Sequence, residues 1–399
     1  MANRRLGLWL VGARGGVATT VAVGCAALRI GRAGPCGLTS ELPQFRELDF
    51  ARWDEIVIGG HDIRRPALAD EARSMSISNR VFEPTLLAEI GPELAEIDAR
   101  IRPGTLVGAG AAVQQLADRD FVPDDRSPAA AIERLVHDLQ QFREQEKLDR
   151  VVVLNLASTE PPASGALPTT WQQLEPRLGE VDCGLAASSL YAVAAFQVGA
   201  AYVNFTPSAG CEPPALQDLA VQRQVCHMGR DGKTGETLLK SVLAPMFANR
   251  NLQVLSWVGH NIFGNLDGKI LDVPENKQSK VASKDQLLKQ ILNYEPQTLV
   301  TIEYIRSLGD WKTAWDHIHF QGFLNTPMVL QFTWQGCDSL LAAPLVLDLF
   351  RFTELAQRLG VVGKMPWLAC FFKSPSGVAE QSFPLQFQML EQWSRQCRK

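Results

Sequence analysis

Three polar clusters crowd the stretch from Gly229 to Lys284. The first, Gly229-Arg230-Asp231-Gly232-Lys233-Thr234-Gly235-Glu236-Thr237, precedes an apolar helical pattern (Leu238, Leu239, Val242, Leu243, Met246, Phe247). Gly235 and Thr237 therefore fall where a helix begins, and free backbone N–H groups there make a site for an anion such as phosphate. The second, Gly259-His260-Asn261-Ile262-Phe263-Gly264-Asn265-Leu266-Asp267-Gly268, follows a strand-like run from Val254 to Val258. Its amides and carboxylate are expected at a strand's end, where open α/β sheets bind ligands. The third is Ser279-Lys280-Val281-Ala282-Ser283-Lys284. Ser283 and Gln286 fit a capping box opening a helix through Leu292, with Lys284 in its first turn and Lys280 just before it. Cations are disfavoured at that end of a helix, and two lysines this close repel, each effect being about 0.3–1 kcal/mol. Two solvated lysines in a surface loop are the plain alternative. An anionic ligand reverses both penalties, and the neighbouring clusters favour it.

Elements that would position such a site can be read in order. Leu6-Gly7-Leu8-Trp9-Leu10-Val11 reads as a buried parallel strand, followed by Gly12-Ala13-Arg14-Gly15-Gly16 and a helix from about Val17 to Ile30. Strand, glycine turn and helix open a dinucleotide-binding unit, the glycines admitting a pyrophosphate to the helix N-terminus. The spacing is not Gly-x-Gly-x-x-Gly, and no acidic residue stands about 20 residues on. A second strand is expected from Glu55 to Ile58, ending in Gly59-Gly60-His61-Asp62, with Asp62 as the candidate for the ribose hydroxyls. A polar helical region follows, roughly Ala67 to Arg100. Ser127 as N-cap and Pro128 predict a helix through about Glu146. Arg150 to Asn155 reads as a strand ending in Leu156-Ala157-Ser158-Thr159-Glu160-Pro161-Pro162, Ala186 to Val198 as a helix, and Ala201 to Phe205 as a strand. Several strands ending in small polar loops, with helices between, predict a doubly wound sheet with its site along one edge. Strand-like runs Leu299 to Ile305, His317 to Phe323 and Met328 to Trp334 then predict a smaller sheet with a helical face. Asp338-Ser339 precedes a mostly apolar helix expected to pack back on the first domain, and Lys373 follows an apolar stretch.

Composition bounds the partners. The 399 residues are 46% hydrophobic and 21% charged, with net charge −4, which fits a soluble globular protein and argues against a nucleic-acid surface. No apolar run approaches a membrane span. Arg4-Arg5 before an apolar run resembles a signal peptide, but the run reads as strand, turn and helix, so the start is taken as mature protein. Eight cysteines without a Cys-x-x-Cys pair read as reduced core residues of a cytoplasmic protein. His317 and His319 share a strand face but lack a third ligand, so no metal site is expected. Gly232-Lys233-Thr234 resembles the end of a P-loop, but His227 stands where its first glycine should be.

In this order the clusters resemble the myo-inositol-1-phosphate synthase family. Gly229 to Gly235 is similar to its Gly-Asp-Asp loop, Asn261 to Gly268 to its Asn-x-x-Gly-Asn-x-Asp segment, and Ser279 to Lys284 to its Ser-Lys-x-x-Ser/Thr-Lys motif. Gly309-Asp310-Trp311-Lys312, Cys337 to Ala342 and Phe372-Lys373-Ser374-Pro375 look like its remaining motifs. The resemblance implies four active-site lysines at Lys280, Lys284, Lys312 and Lys373. It implies NAD at Gly12, Ala13, Arg14, Gly15, Gly16, Val17, Asp62, Ser158, Thr159, Asp231 and Asp338. Substrate is expected at Thr234, Gly235, Glu236, Thr237, Asn261, Asn265 and Asp267, the first four cradling the phosphate. The implied chemistry on D-glucose 6-phosphate is hydride removal from C5, enolisation, aldol closure of C6 on C1, and return of the hydride. Ammonium groups in a water-poor pocket suit oxygens that gain charge, and a desolvated lysine can also act as base. The family's glycine loop is broken by Arg14 and Ala18, its first loop aspartate is Arg230, and a usual Trp is His61. The implied architecture is a Rossmann-like α/β domain (1–237 plus 341–399) with an inserted α+β catalytic and tetramerisation domain (238–340), forming a homotetramer. A monovalent or divalent cation near Asp231 and Asp338 stays open. So do two alternatives, an NAD-dependent enzyme on another sugar phosphate and a non-catalytic NAD-binding regulator.

Overall fold

The computed structural model describes residues 4–161, 165–265 and 287–398. Strand β1 (Leu6–Val11) is buried along its whole length, as a continuous apolar run requires at the centre of a parallel sheet. Its residues alternate between two layers: Leu6, Leu8 and Leu10 enter one apolar core, Trp9 and Val11 the other. Parallel partners flank it, β2 (Ile56–Asp62) on one side and β4 (Arg150–Asn155) on the other. With β3 (Ile101–Pro103), β5 (Ala201–Asn204), β6 (Cys226–Gly229) and β11 (Gly363–Lys364) they form a seven-stranded sheet in the order β11-β6-β5-β4-β1-β2-β3. The chain leaves β1 toward β2 and β3, then returns to the other side through β4, so the switch point lies between β1 and β4.

Helices cover both faces. α1 (Gly16–Arg29), α2 (Leu68–Asn79) and α3 (Pro84–Ala99) contribute to the first core, while α4 (Pro128–Gln145), α5 (Ala187–Gln197) and α6 (Pro214–Gln222) contribute to the second. The N-cap of α4 is Ser127, whose hydroxyl accepts from the Ala130 N–H. The polar region after residue 67 is two helices, because Arg80 turns left-handed (φ 56°) at the end of α2 and Pro84 starts α3. Strand β2 runs on through Gly59 and Gly60 to Asp62, past its expected end at Ile58. A Cβ on Gly60 would lie 2.2 Å from the Leu10 carbonyl oxygen, so glycine is needed there by close packing inside the strand and does not mark a turn.

The second sheet is mixed. β7 (Gln253–Phe263) pairs in parallel with β8 (Gln297–Tyr304), and β9 (Trp311–Gln321) runs antiparallel to both β7 and β10 (Pro327–Cys337), in the order β10-β9-β7-β8. These strands are longer than their apolar runs, since pairing carries them through polar residues. His260 and Asn261 therefore sit within β7, not beyond its end. The inner face is covered by α7 (Gly235–Asn249) and by helical residues 287–292, with Trp257, Phe247 and Leu288 in one apolar cluster. α8 (Asp338–Arg358) returns from β10 to pack on α1, and α9 (Phe383–Cys397) closes the first core with Leu390 and Trp393. The expected boundaries 237/238 and 340/341 fall inside α7 and α8; α8 touches strands of both sheets, and α7 touches β7 and β10 of the small sheet and helix α9. All eight cysteines are free thiols.

Beneath this architecture β6 carries a buried imidazole. His227 is 1% exposed, lies 3.0 Å from the Cys211 sulfur, and burial pushes its pKa down to about 4. The unfolded chain thus binds a proton near pH 6.5 that the folded chain refuses until about pH 4. Stability conferred by this site is present above pH 6.5 and declines on acidification toward pH 4, by up to about 3 kcal/mol. Chemical unfolding of a His227→Gln variant should show a pH slope flatter than that of the parent across this window. Parallel slopes would remove His227 as the cause.

Candidate active site

A cavity of about 470 Å³ opens at the C-terminal ends of β1, β2, β4 and β5, and reaches the end of β7 and the start of β9. Its first wall is the glycine turn. Gly12 has φ +82°, and a Cβ there would stand 3.0 Å from the Ala157 backbone, so only glycine fits. The N–H groups of Gly12 and Ala13 both donate to the His61 carbonyl, at 2.9 and 3.0 Å. No side chain caps α1, while Gly15, Gly16 and Val17 line the cavity, so the first-turn N–H groups are left to a ligand. Ser158 and Thr159 line it as well, and the buried Thr159 hydroxyl has no hydrogen-bond partner among the described residues. A side-chain-free helix start, a cradle that a Cβ would fill and an orphaned hydroxyl together fit a pyrophosphate. Gly12→Ala is expected to weaken NAD binding at least about tenfold, since it adds both a clash and a left-handed alanine. Fluorescence titration with NAD measures this, and an unchanged Kd would sink it.

Asp62 lines the cavity and also makes bonds within the fold, whereas Arg14 does not line it. Asp62 Oδ2 accepts from the Arg14 N–H at 2.6 Å and Oδ1 from the Arg64 N–H at 2.8 Å, so its carboxylate also ties the turn to the end of β2. The Arg14 side chain is not in the cavity wall. Its guanidinium binds Asp98 at 3.0 Å and the Arg64 carbonyl at 2.8 Å, and stacks over Phe121. His61 stands in the interior: the Trp9 indole donates to its Nδ1 at 2.8 Å, and Nε2 lies 3.1 Å from Asp138. Burial holds its pKa down, so the ring is neutral and Nε2 is the donor.

The floor is polar. Asp231 and Lys373 meet in an ion pair of 2.8 Å, and the Lys373 N–H donates to the Asp231 carbonyl at 2.6 Å. Bonds of Gly232 to Phe205 and of Lys233 to Phe371 bind this loop into the strand ends around it. Lys233 itself is buried, donates to Gln386 of α9, and has its pKa pulled down to about 8 by burial. Glu160, at the wall, accepts from the Ser188 N–H at the start of α5, and burial raises it to about 7. Lys312, at the start of β9, lines the cavity with its ammonium 4.9 Å from the centre of the Phe263 ring.

One residue joins the two sheets here, and the sequence reading quoted it without giving it a role. Asp310 accepts from the Asn265 amide at 2.9 Å, the Ser339 N–H at 2.9 Å and the Cys337 thiol at 3.1 Å. Its own N–H donates to Asn79 at the end of α2. The thiol stays protonated because burial and the neighbouring carboxylate push its pKa up. Asp310 thus caps α8 from outside the helix. Gly309 before it has φ +55°, with no room for a Cβ beside Asn79.

The remaining expected positions divide. Thr234, Asn265, Asp338 and Ser339 line the cavity, whereas Gly235, Glu236, Thr237 and Asn261 do not. Glu236 is turned into the small sheet by Lys240, one helical turn on, with a buried contact of 2.6 Å. Asn261 is fully buried, and neither atom of its amide has a partner among the described residues. Lys280, Lys284 and Asp267 lie outside the described residues. Among the described residues no group of histidine, cysteine and carboxylate side chains could hold a metal, and no helix is long and apolar enough to cross a membrane.

Residues 6–395 match the family model described as myo-inositol-1-phosphate synthase, an NAD-binding family. The chain belongs to that family. Inositol-3-phosphate synthase 1 of Bacteroides thetaiotaomicron is 33% identical over 94% of this chain and 90% of its own length. The human inositol-3-phosphate synthase 1 is 33% identical over 77% of this chain, but the match spans only 55% of that longer relative. Among solved structures, inositol-3-phosphate synthase from Caenorhabditis elegans superposes with a TM-score of 0.89 at 24% identity, over 99% of this chain and 86% of that one. A myo-inositol-1-phosphate synthase-related protein from Thermotoga maritima gives 0.78 at 24%, over 98% and 99%. These likenesses establish the Rossmann-like synthase fold. Within that fold the glycine turn after β1 and the lysines Lys312 and Lys373 border one cavity.

Proposed function

We propose that this chain is an NAD-dependent isomerase that converts D-glucose 6-phosphate to inositol 3-phosphate without net oxidation. One observation carries the reading: the glycine turn Gly12–Gly16 and the lysines Lys312 and Lys373 border a single cavity. NAD, when bound, supplies the acceptor for the C5 hydride and its return. The protein's part is to hold the sugar and to stabilise each oxygen that gains charge. To Lys373, paired with Asp231, and to Lys280 we assign the roles nearest the reacting carbons. Lys312, with Lys284, serves the oxyanion and the phosphate. Enolisation needs a base, a role open to a lysine whose proton is loosened by desolvation and by cationic neighbours. Thr234, at the cavity wall just before α7, receives the phosphate. Asn265, which lines the cavity, orients a sugar hydroxyl.

The same reading extends to the surroundings. Asp231 and Asp338 both border the cavity and form the place where a cation would assist. The outer face of the small sheet exposes Leu299, Trp315 and Val329, which supports self-association of residues 238–340 into a homotetramer. The lack of disulfides among eight cysteines supports a cytoplasmic enzyme. Incubation with glucose 6-phosphate and catalytic NAD should yield periodate-releasable inositol phosphate with no lasting rise in NADH. Net NADH formation, or no product from this sugar, would overturn the assignment. Light scattering on the eluted protein tests the tetramer.

A further inference from the structure

The end of β2 carries a charge arrangement that the reaction does not use. Asp62 closes the strand where Rossmann folds place the acid facing a ribose. Two residues on, Arg64 lies between two carboxylates: Nη1 is 3.2 Å from Glu71 of α2 and Nε is 3.8 Å from Asp62. Its Nη2 donates to the Arg14 carbonyl. Asp62, Arg64 and Glu71 all line the cavity, and the Arg64 and Glu71 side chains are only 19% and 22% exposed. Arg14, a second guanidinium near this corner, is taken by Asp98 outside the wall. The wall thus presents two carboxylates against one guanidinium, and both terminal nitrogens of that guanidinium are already hydrogen-bonded.

A guanidinium fork is the natural partner of a phosphate, and carboxylates repel one. We propose that Glu71, by holding Arg64, makes this site select a dinucleotide with a free ribose 2′-hydroxyl over one with a 2′-phosphate. The inference rests on the dinucleotide site of the proposed function and adds a residue that decides between cofactors. Asp62 accepts from the hydroxyl, while Glu71 acts one step back by keeping Arg64 from turning to a 2′-phosphate. Glutamine at 71 would keep the size and a hydrogen bond but lose the charge that fixes Arg64.

Calorimetric titration of the full chain with 5′-AMP and with 2′,5′-ADP tests this without turnover. The parent should bind 5′-AMP more tightly. Glu71→Gln should move the affinity ratio toward 2′,5′-ADP by about tenfold, and adding Arg64→Ala should cancel that gain. Because the readout is a ratio of two ligands on one sample, partial unfolding does not imitate it. A ratio unmoved by Glu71→Gln, or a gain that survives Arg64→Ala, would overturn the inference while leaving the dinucleotide reading in place. Failure of the parent to bind NAD and both nucleotides would overturn that reading, and this inference with it.

Discussion

Lys373→Ala is expected to lower the rate of inositol phosphate formation by roughly 10³-fold, in line with the loss of a group that stabilises a developing oxyanion. The ammonium is held in place by Asp231 at 2.8 Å, and the two backbones are joined as well, so it enters the reaction already oriented. Such a group costs no reorganisation when charge develops on the sugar, which is why its removal outweighs that of a solvated lysine. Lys373→Arg should restore little, because a planar fork does not occupy the space of a compact ammonium. NAD affinity of both variants should stay within about threefold of the parent, since the glycine turn is intact. Single-turnover product measurement beside NAD titration separates these effects. Undiminished turnover in the alanine variant would remove Lys373 from the chemistry.

The second large effect is expected at the junction of the sheets. Asp310→Ala removes the acceptor for three donors, among them the Ser339 N–H at the start of α8. A lost cap costs about 0.5–2 kcal/mol, and each buried donor left unpaired about 1–3 kcal/mol, with part recovered by water and relaxation. A net loss of about 2–4 kcal/mol follows, read as a lower denaturant midpoint. Asp310→Asn keeps an acceptor for Ser339 but turns an amide donor toward other donors, so it should fall between. Activity should drop in both, because Asn265, Ser339 and Lys312 around this carboxylate all line the cavity. A midpoint unchanged in the alanine variant would mean that the carboxylate does not join the sheets.

Much of this was legible because local chemistry and global fold agree. An unbroken apolar strand, a glycine turn and a helix at the N-terminus leave few alternatives, and Ser127-Pro128 announced α4 through the bond its hydroxyl makes. What escaped depended on neighbours distant in sequence. Gly59 and Gly60 look like a turn until β1 is set beside them: Gly60 then lies against the Leu10 carbonyl, and Gly59 leaves room for the Trp9 and Phe142 rings. Glu236 has the right place for a phosphate loop, but Lys240 and the underside of the small sheet claim its carboxylate. Arg14 breaks a glycine pattern, and only the position of Asp98 reveals that the side chain leaves the cofactor path free. Asp310 drew no attention because its partners come from Asn79, Asn265 and Cys337-Asp338-Ser339, three separate parts of the chain. The lysine pair at Lys280 and Lys284 stands out by its place at an expected helix start and by mutual repulsion, signals that name a need for an anion without locating it.

The bond between Asp231 and Lys373 spans 142 positions of sequence. Between them the chain must lay down the whole small sheet and helix α8, and β11 must add to the edge of the large sheet beside β6. During synthesis from the N-terminus, the nucleotide-binding half can therefore collapse long before the amine that would act on a sugar leaves the ribosome. A nascent chain halted before residue 373 would lack the ammonium that Asp231 orients. Competence arrives late and all at once, which spares the cell a half-built enzyme that strips a hydride and cannot give it back.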